Sequence, residues 1–220
     1  RILQTGHLER FNPAVLAVRP LLNRPMFFEA HRLSVFTPRA LDVDVVLDLM
    51  IHDLDIVLSF AHSPVREIRA VGLPILSNKT DIANVRLEFD SGCVANFTAS
   101  RVSTEQVRKL RFFQPHQYIS IDYARKDVLV IDVKGIPGAP ATTPSSEDSP
   151  IAFNKPRVPQ AEPLRLEIES FLESVRTRKP PQVSAEDGRA ALALALEINR
   201  AIADHAQRAG LDGFSTRQRQ

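Results

Sequence analysis

The sequence predicts an α+β fold, an open and mostly antiparallel β-sheet with helices on one face. Short β-prone runs follow one another from residue 66 to 133, and Asp90-Ser91-Gly92 marks a hairpin between two of them. Alternation in Val85-Arg86-Leu87-Glu88-Phe89 gives the sheet one apolar and one more polar face. Helical periodicity occupies residues 44–62 and 164–209.

The elements follow in order. Residues 2–7 read as a short strand. Asn12 is an N-cap with Pro13 at the first helical position, starting a helix over 13–23 that stops before Pro25. Residues 26–36 are β-prone and partly alternating. Asp42 or Asp44 caps the next helix, which ends near His62 and Pro64. Strands are then expected at 66–75, 82–89, 94–102, 107–113, 118–123 and 128–133, and their tight turns imply a meander. Residues 135–163 are rich in proline and fit neither a helix nor a central strand, so they read as a long loop. In the helix over 164–177, Leu166, Phe171, Leu172 and Val175 share one side. Ser184-Ala185-Glu186-Asp187 forms a capping box leading into an Ala/Leu helix that runs to about 209. Residues 210–220 are expected to fray.

Composition narrows the function. The chain has 220 residues, 44% of them hydrophobic and 25% charged, enough for a substantial core in an ordinary globular protein. A net charge of +2 and scattered arginines argue against nucleic acid or a membrane surface as partner. The single cysteine, Cys93, excludes an intramolecular disulfide and points to a reducing cytoplasm. No stretch has the length and apolarity of a membrane span. The opening Arg1-Ile2-Leu3 lacks an initiator Met and reads as the continuation of a longer chain.

The 44–62 helix carries the chemistry. Asp44, Asp48, His52, Asp55 and Ser59 fall on one side of it, among Val, Leu, Ile and Met. Buried carboxylates and imidazoles are costly unless paired or facing a pocket, so this stripe reads either as the wall of a site or as a satisfied core histidine. Asp48 and His52, at i and i+4, can reach one substrate atom. An imidazole there exchanges a proton near neutral pH, while the carboxylate orients it or holds a hydroxyl. Asp53 projects about 100° away toward another neighbour. Asp55 reads as a cap or salt-bridge partner, and His7 and His31 as packing histidines.

Gly6-His7-Leu8-Glu9-Arg10-Phe11-Asn12-Pro13, Asp48-Leu49-Met50-Ile51-His52-Asp53-Leu54-Asp55, Asn84 to Phe89 with Gly92, Glu169-Ser170-Phe171 and Val183 to Gly188 together resemble the Gfo/Idh/MocA family of NAD(P)-dependent oxidoreductases. They span nearly the whole chain in the family's order. The resemblance implies that residues 1–13 are the last strand and exit of a truncated Rossmann domain. Residues 14–134 would be the substrate and oligomerisation domain, and 164–209 helices packing back toward the Rossmann half. No Gly-x-Gly-x-x-Gly turn and no Glu-Lys-Pro motif is present, so NAD or NADP would be bound mainly upstream. His52 would be the acid/base that takes a proton from a sugar or polyol hydroxyl, and Asp48 would hold that hydroxyl and tune His52. Arg10 and Asn12 would lie near the nicotinamide. The wording is most similar to the bacterial branch that oxidises UDP-N-acetylglucosamine, which would make Arg32, Arg101 and Lys109 candidates for its diphosphate. A homodimer or homotetramer through the open sheet face is also implied.

Two other readings stand beside this one. His52-Asp53 is the dipeptide of metal-dependent HD phosphohydrolases, although those need further ligands from an all-α fold. The alternative is a non-catalytic ligand-binding or dimerisation module derived from the same domain. The 220-residue chain by itself is expected to show no turnover.

Overall fold

The computed structural model describes residues 1–38, 41–133 and 151–211. Its centre is an eight-stranded sheet: β1 (Phe27–Val35), β2 (Val65–Leu73), β3 (Ile82–Phe89), β4 (Val94–Ser103), β5 (Val107–Gln114), β6 (Gln117–Asp122), β7 (Asp127–Val133) and β8 (Ile151–Asn154). The spatial order is β2-β3-β4-β1-β5-β6-β7-β8. Hairpins join β2 through β4 and β5 through β7, as the turn signals predict. The expected meander is broken at one point. β1 inserts between β4 and β5, parallel to β4 and antiparallel to β5, with Phe28 opposite both Ala95 and Phe112. Local turn chemistry cannot signal a pairing between strands some sixty residues apart.

Strand alternation decides which face is covered. Phe28 and Ala30 of β1, Val85 and Leu87 of β3, Phe97 of β4, Leu110 and Phe112 of β5, and Ile119 and Ile121 of β6 point one way and form the core. Four helices accompany the sheet: α1 (Pro13–Val18), α2 (Ile51–Ala61, preceded by a wider turn over Val46–Met50), α3 (Pro163–Thr177) and α4 (Ala185–Arg208). Val15, Val18, Leu54, Val57, Phe60, Leu194 and Ile198 from α1, α2 and α4 close the core against that face. Burying side chains of this size stabilises the fold by about 1.5–3 kcal/mol each.

The helix ends follow their caps. Asn12 Oδ1 accepts from the Ala14 N–H, and Arg19–Leu21 continues α1 as a 3-10 turn before Pro25. Asp44 Oδ1 accepts from Val46 and Leu47 N–H and starts the α2 segment. Ser184 and Asp187 bond reciprocally in the capping box of α4.

Three expectations change. Residues 2–7 form no strand; Thr5 N–H instead donates to Val183 O, and Gln4 Nε2 to Glu167 O, so the segment is tied to the C-terminal helices. Within the expected loop over 135–163, Ile151–Asn154 pairs with β7 as an edge strand, the position where four short residues beside prolines are tolerated. On α3, Leu166 and Phe171 are half-buried, but Leu172 and Val175 point outward with Leu164 and Ile168. The rest of the loop (134–150) and most of the expected frayed tail (212–220) lie outside the described residues.

Candidate active site

The site forms where the α2 segment, the 3-10 turn Leu8–Phe11, β1 and the end of β6 converge. Over Val46–Met50 the hydrogen bonds widen to i+5, with Ile51 N–H donating to Val46 O, before α2 proper begins. Wide turns of this kind are rare in helices and frequent at functional sites. Asp48 lies within the wide turn and His52 one turn beyond it.

His52 is partly exposed, but its Nδ1 is sealed in protein without a hydrogen-bond partner, which leaves Nε2 to meet a ligand. Burial, reinforced by the Arg32 guanidinium, holds the imidazole below its ordinary pKa against the opposing pull of Asp53 and Glu9. The imidazole is therefore neutral at pH 7. Asp48 is half-buried, and among the described residues its carboxylate makes no hydrogen bond or ion pair. The structure thus brings Asp48 and His52 onto one segment without linking them. The charges that surround His52 are those of Arg32, Asp53 and Glu9.

The remaining polar residues are paired inward. Arg32 bonds Asp53 in a fork, Nε to Oδ2 at 2.7 Å and Nη2 to Oδ1 at 2.9 Å, and reaches Glu9 Oε1 at 3.2 Å. It also lies over the Tyr123 ring at 5.4 Å, a cation–π contact. Arg10 forms a second fork with Asp55 at 2.6 and 2.8 Å and approaches Asp187 at 3.8 Å. Bidentate pairs with this geometry can be retained in a low-dielectric interior because each charge is matched and hydrogen-bonded.

These pairings change the roles expected for the cationic candidates. The Arg32 charge is matched by Asp53 and Glu9, so it shapes the wall beside His52 and is not available to grip a diphosphate. Arg101 is buried, donates to Val43 O and lies 3.7 Å from Asp81 Oδ1, so it ties the segment before α2 to β4. Lys109 alternates with the buried Leu110 and sits opposite His31 in the register, so it belongs to the open face, away from His52. Arg10 is engaged by Asp55. Asn12 caps α1 through Oδ1 while its Nδ2 donates to Glu9 and Tyr123 O. Arg10 Nε and Nη2 are thus committed to Asp55 and Asn12 to α1, Glu9 and Tyr123 O, while Arg10 Nη1 makes no hydrogen bond among the described residues.

Sequence reasoning passed over three residues of the site. Glu9 stood in a quoted motif but was given no task. His7 was read as packing, yet its ring meets that of His52 edge to face. Tyr123, 3% exposed, has a hydroxyl with no hydrogen-bond partner, and burial pushes its pKa well up. Only the burial of an aromatic just beyond β6 marks it, and no spacing signal in the sequence does.

Comparison with known proteins agrees with this architecture. Residues 19–115 match the family model described as the GFO/IDH/MocA C-terminal domain. UDP-N-acetylglucosamine 3-dehydrogenase of Acidithiobacillus ferrooxidans is 35% identical over 211 residues, 94% of this chain and 64% of that enzyme. The solved structure of the same enzyme, GnnA, superposes with a TM-score of 0.82 at 33% identity, covering 91% of this chain and 62% of that one. An aldose-aldose oxidoreductase from Caulobacter crescentus shares the fold at a TM-score of 0.72 and 20% identity, over 93% of this chain and 63% of its own. The chain therefore spans a little under two thirds of the relatives it matches. An eight-stranded sheet also rules out the all-α scaffold of the phosphohydrolase reading. On the family match and the aligned relative, residues 19–115 of the chain are a GFO/IDH/MocA C-terminal domain.

Proposed function

We propose that the chain is the substrate-binding and acid–base part of an NAD(P)-dependent dehydrogenase that oxidises a hydroxyl of a sugar, and that the sugar is a UDP-linked amino sugar. One observation carries the proposal: His52, neutral and with a single accessible nitrogen, stands one helical turn from an Asp48 carboxylate that has no partner among the described residues. A base and a hydroxyl-binding acceptor so placed supply the proton side of an alcohol oxidation. His52 Nε2 accepts from the reacting hydroxyl and takes its proton, while Asp48 accepts from a neighbouring hydroxyl of the same sugar and its charge favours the imidazolium that forms. The relative at 35% identity, named for oxidation of UDP-N-acetylglucosamine, supports the choice of sugar. NAD or NADP belongs mainly to the third of such an enzyme that this chain does not match, because these 220 residues hold no Gly-x-Gly-x-x-Gly turn. With Arg32, Arg101 and Lys109 engaged or turned away, the diphosphate is held elsewhere.

Two surfaces bear on assembly. Phe27, Phe113 and Tyr118 stack on the open sheet face with centroids 5.8 and 5.0 Å apart, and Phe113 is 40% exposed. An aromatic patch in the middle of a bare sheet supports a homodimer formed face to face through it. Leu164, Ile168 and Leu172 on the outer side of α3 are half exposed or more, which supports packing of α3 against the cofactor domain.

The test is a chimera joining this chain to the unmatched part of the Acidithiobacillus enzyme. It is expected to reduce NAD or NADP with UDP-N-acetylglucosamine as substrate. A folded chimera that binds the cofactor yet oxidises none of a panel of free and UDP-linked sugars contradicts the proposal and favours the non-catalytic module.

A further inference from the structure

A UDP-linked substrate brings a dianion to a wall that is already negative. Beside His52, the one positive charge of Arg32 is shared by the carboxylates of Asp53 and Glu9. Asp48 adds a third carboxylate, with no partner among the described residues. A diphosphate placed here is repelled unless a further cation receives it. Arg10 is matched by Asp55, Arg101 lies by Asp81, and Lys109 stands on the open face.

The strand register supplies that cation. Side chains alternate along β5, and Leu110 and Phe112 fill the core on the helix side of the sheet. Arg108 therefore rises from the same face as Leu110, two residues nearer the start of the strand. Arg32 of β1 is directly opposite it, and on the other flank the Tyr123 N–H donates to Arg108 O. Arg32, Arg108 and Tyr123 thus form one row across β1, β5 and the end of β6. The outer two are buried, and their side chains meet above the Arg108 backbone, with the guanidinium 5.4 Å from the ring centre. Arg108, the middle member, is exposed, and among the described residues its guanidinium makes no hydrogen bond or ion pair. Like charges directly opposite on one face of a sheet are destabilising. Asp53 and Glu9 compensate Arg32, whereas no described residue compensates Arg108.

We propose that Arg108 receives the diphosphate of the UDP-linked sugar at the exposed edge of the Arg32–Tyr123 wall. This rests on the reading of the chain as part of a UDP-sugar dehydrogenase and deepens it by naming the residue that grips the nucleotide half. In such a substrate the diphosphate is attached at the anomeric carbon, within one sugar ring of the hydroxyls. A guanidinium meets phosphate oxygens with a planar fork, which an ammonium lacks. The expectation of Lys109 differs by one position, which on a strand means the opposite face.

Titration of the 220-residue chain with UDP, and with uridine as the phosphate-free control, tests the assignment without turnover. The wild-type chain is expected to bind UDP more tightly than uridine. Arg108→Gln is expected to weaken UDP about 10–100-fold and to leave uridine unchanged. Arg108→Lys, which keeps the charge without the fork, is expected to recover part of the loss. Lys109→Gln, on the opposite face, is expected to leave UDP affinity as in the wild type. Equal affinity of the wild-type chain for UDP and uridine overturns the proposal. So does an Arg108→Gln chain that holds UDP as tightly as the wild type, or a Lys109→Gln chain that loses as much as Arg108→Gln. Arg108 is exposed, so the variants are expected to keep the wild-type denaturation midpoint; if Arg108→Gln does not fold, the wild-type comparison and Lys109→Gln still decide. In the active chimera, Arg108→Gln is expected to raise KM for UDP-N-acetylglucosamine about 10–100-fold with kcat little changed, and an unchanged KM overturns the assignment. A folded chimera that oxidises no sugar defeats the functional reading, whereas the UDP titration decides the role of Arg108.

Discussion

Burial sets the protonation of His52 before any substrate arrives. The protein around the ring and the Arg32 guanidinium both disfavour imidazolium, so the base stays neutral into mildly acidic solution. The acid limb of kcat/KM for sugar oxidation is therefore expected below the usual histidine value of about 6.5, and a limb at or above it would mean that another group is titrating. Arg32 also holds the wall of the site through its fork with Asp53. Arg32→Met strands a carboxylate that is 2% exposed, at a cost of about 3–5 kcal/mol, while Arg32→Met with Asp53→Leu is expected to recover part of the loss in thermal denaturation. That Asp48 and His52 share one helical segment was legible from their spacing; that they are not linked to each other was not. Asp53 was legible as facing elsewhere, but its partner was not. Arg32 lies 21 residues away on a strand, and only the register of β1 against β4 and β5 turns it toward α2.

Among the elements, those governed by local chemistry were the most readable. The capping box of α4 forms as its sequence requires, and Ser184→Ala is expected to cost about 1 kcal/mol by removing one half of it, measurable as a lower denaturation midpoint. Gly188, one residue further along α4, has a tertiary reason that the sequence hides. A Cβ there would lie 2.5 Å from Thr5 Oγ1, in the segment whose backbone and hydroxyl bond Val183 and Ser184. Gly188→Ala is expected to destabilise by about 1–3 kcal/mol and to loosen residues 1–7, seen as faster amide exchange at Thr5; unchanged exchange would mean that the segment adapts. The wide turn over Val46–Met50 and the insertion of β1 into the sheet escaped the sequence because both depend on what packs against them. The edge strand β8 escaped for a related reason: Phe153 and its neighbours are strand-like only beside β7.

For the whole molecule, the fold class was readable because alternation within each strand fixes which face is covered. The open face is proposed as an assembly surface, and its aromatic patch supports that proposal. Phe113→Glu is expected to convert a dimer to a monomer in light scattering, leaving the His52 side of the sheet intact; a monomeric wild-type protein would remove the open face from any role in assembly. The account stands most directly on His52 as the group that takes the substrate proton. The decisive measurement is the rate of NAD(P)H formation from UDP-N-acetylglucosamine by the chimera with and without His52→Ala. The account predicts a fall of about 10²–10⁴ in turnover with cofactor binding retained. An unchanged rate would return His52 to the core and contradict the account.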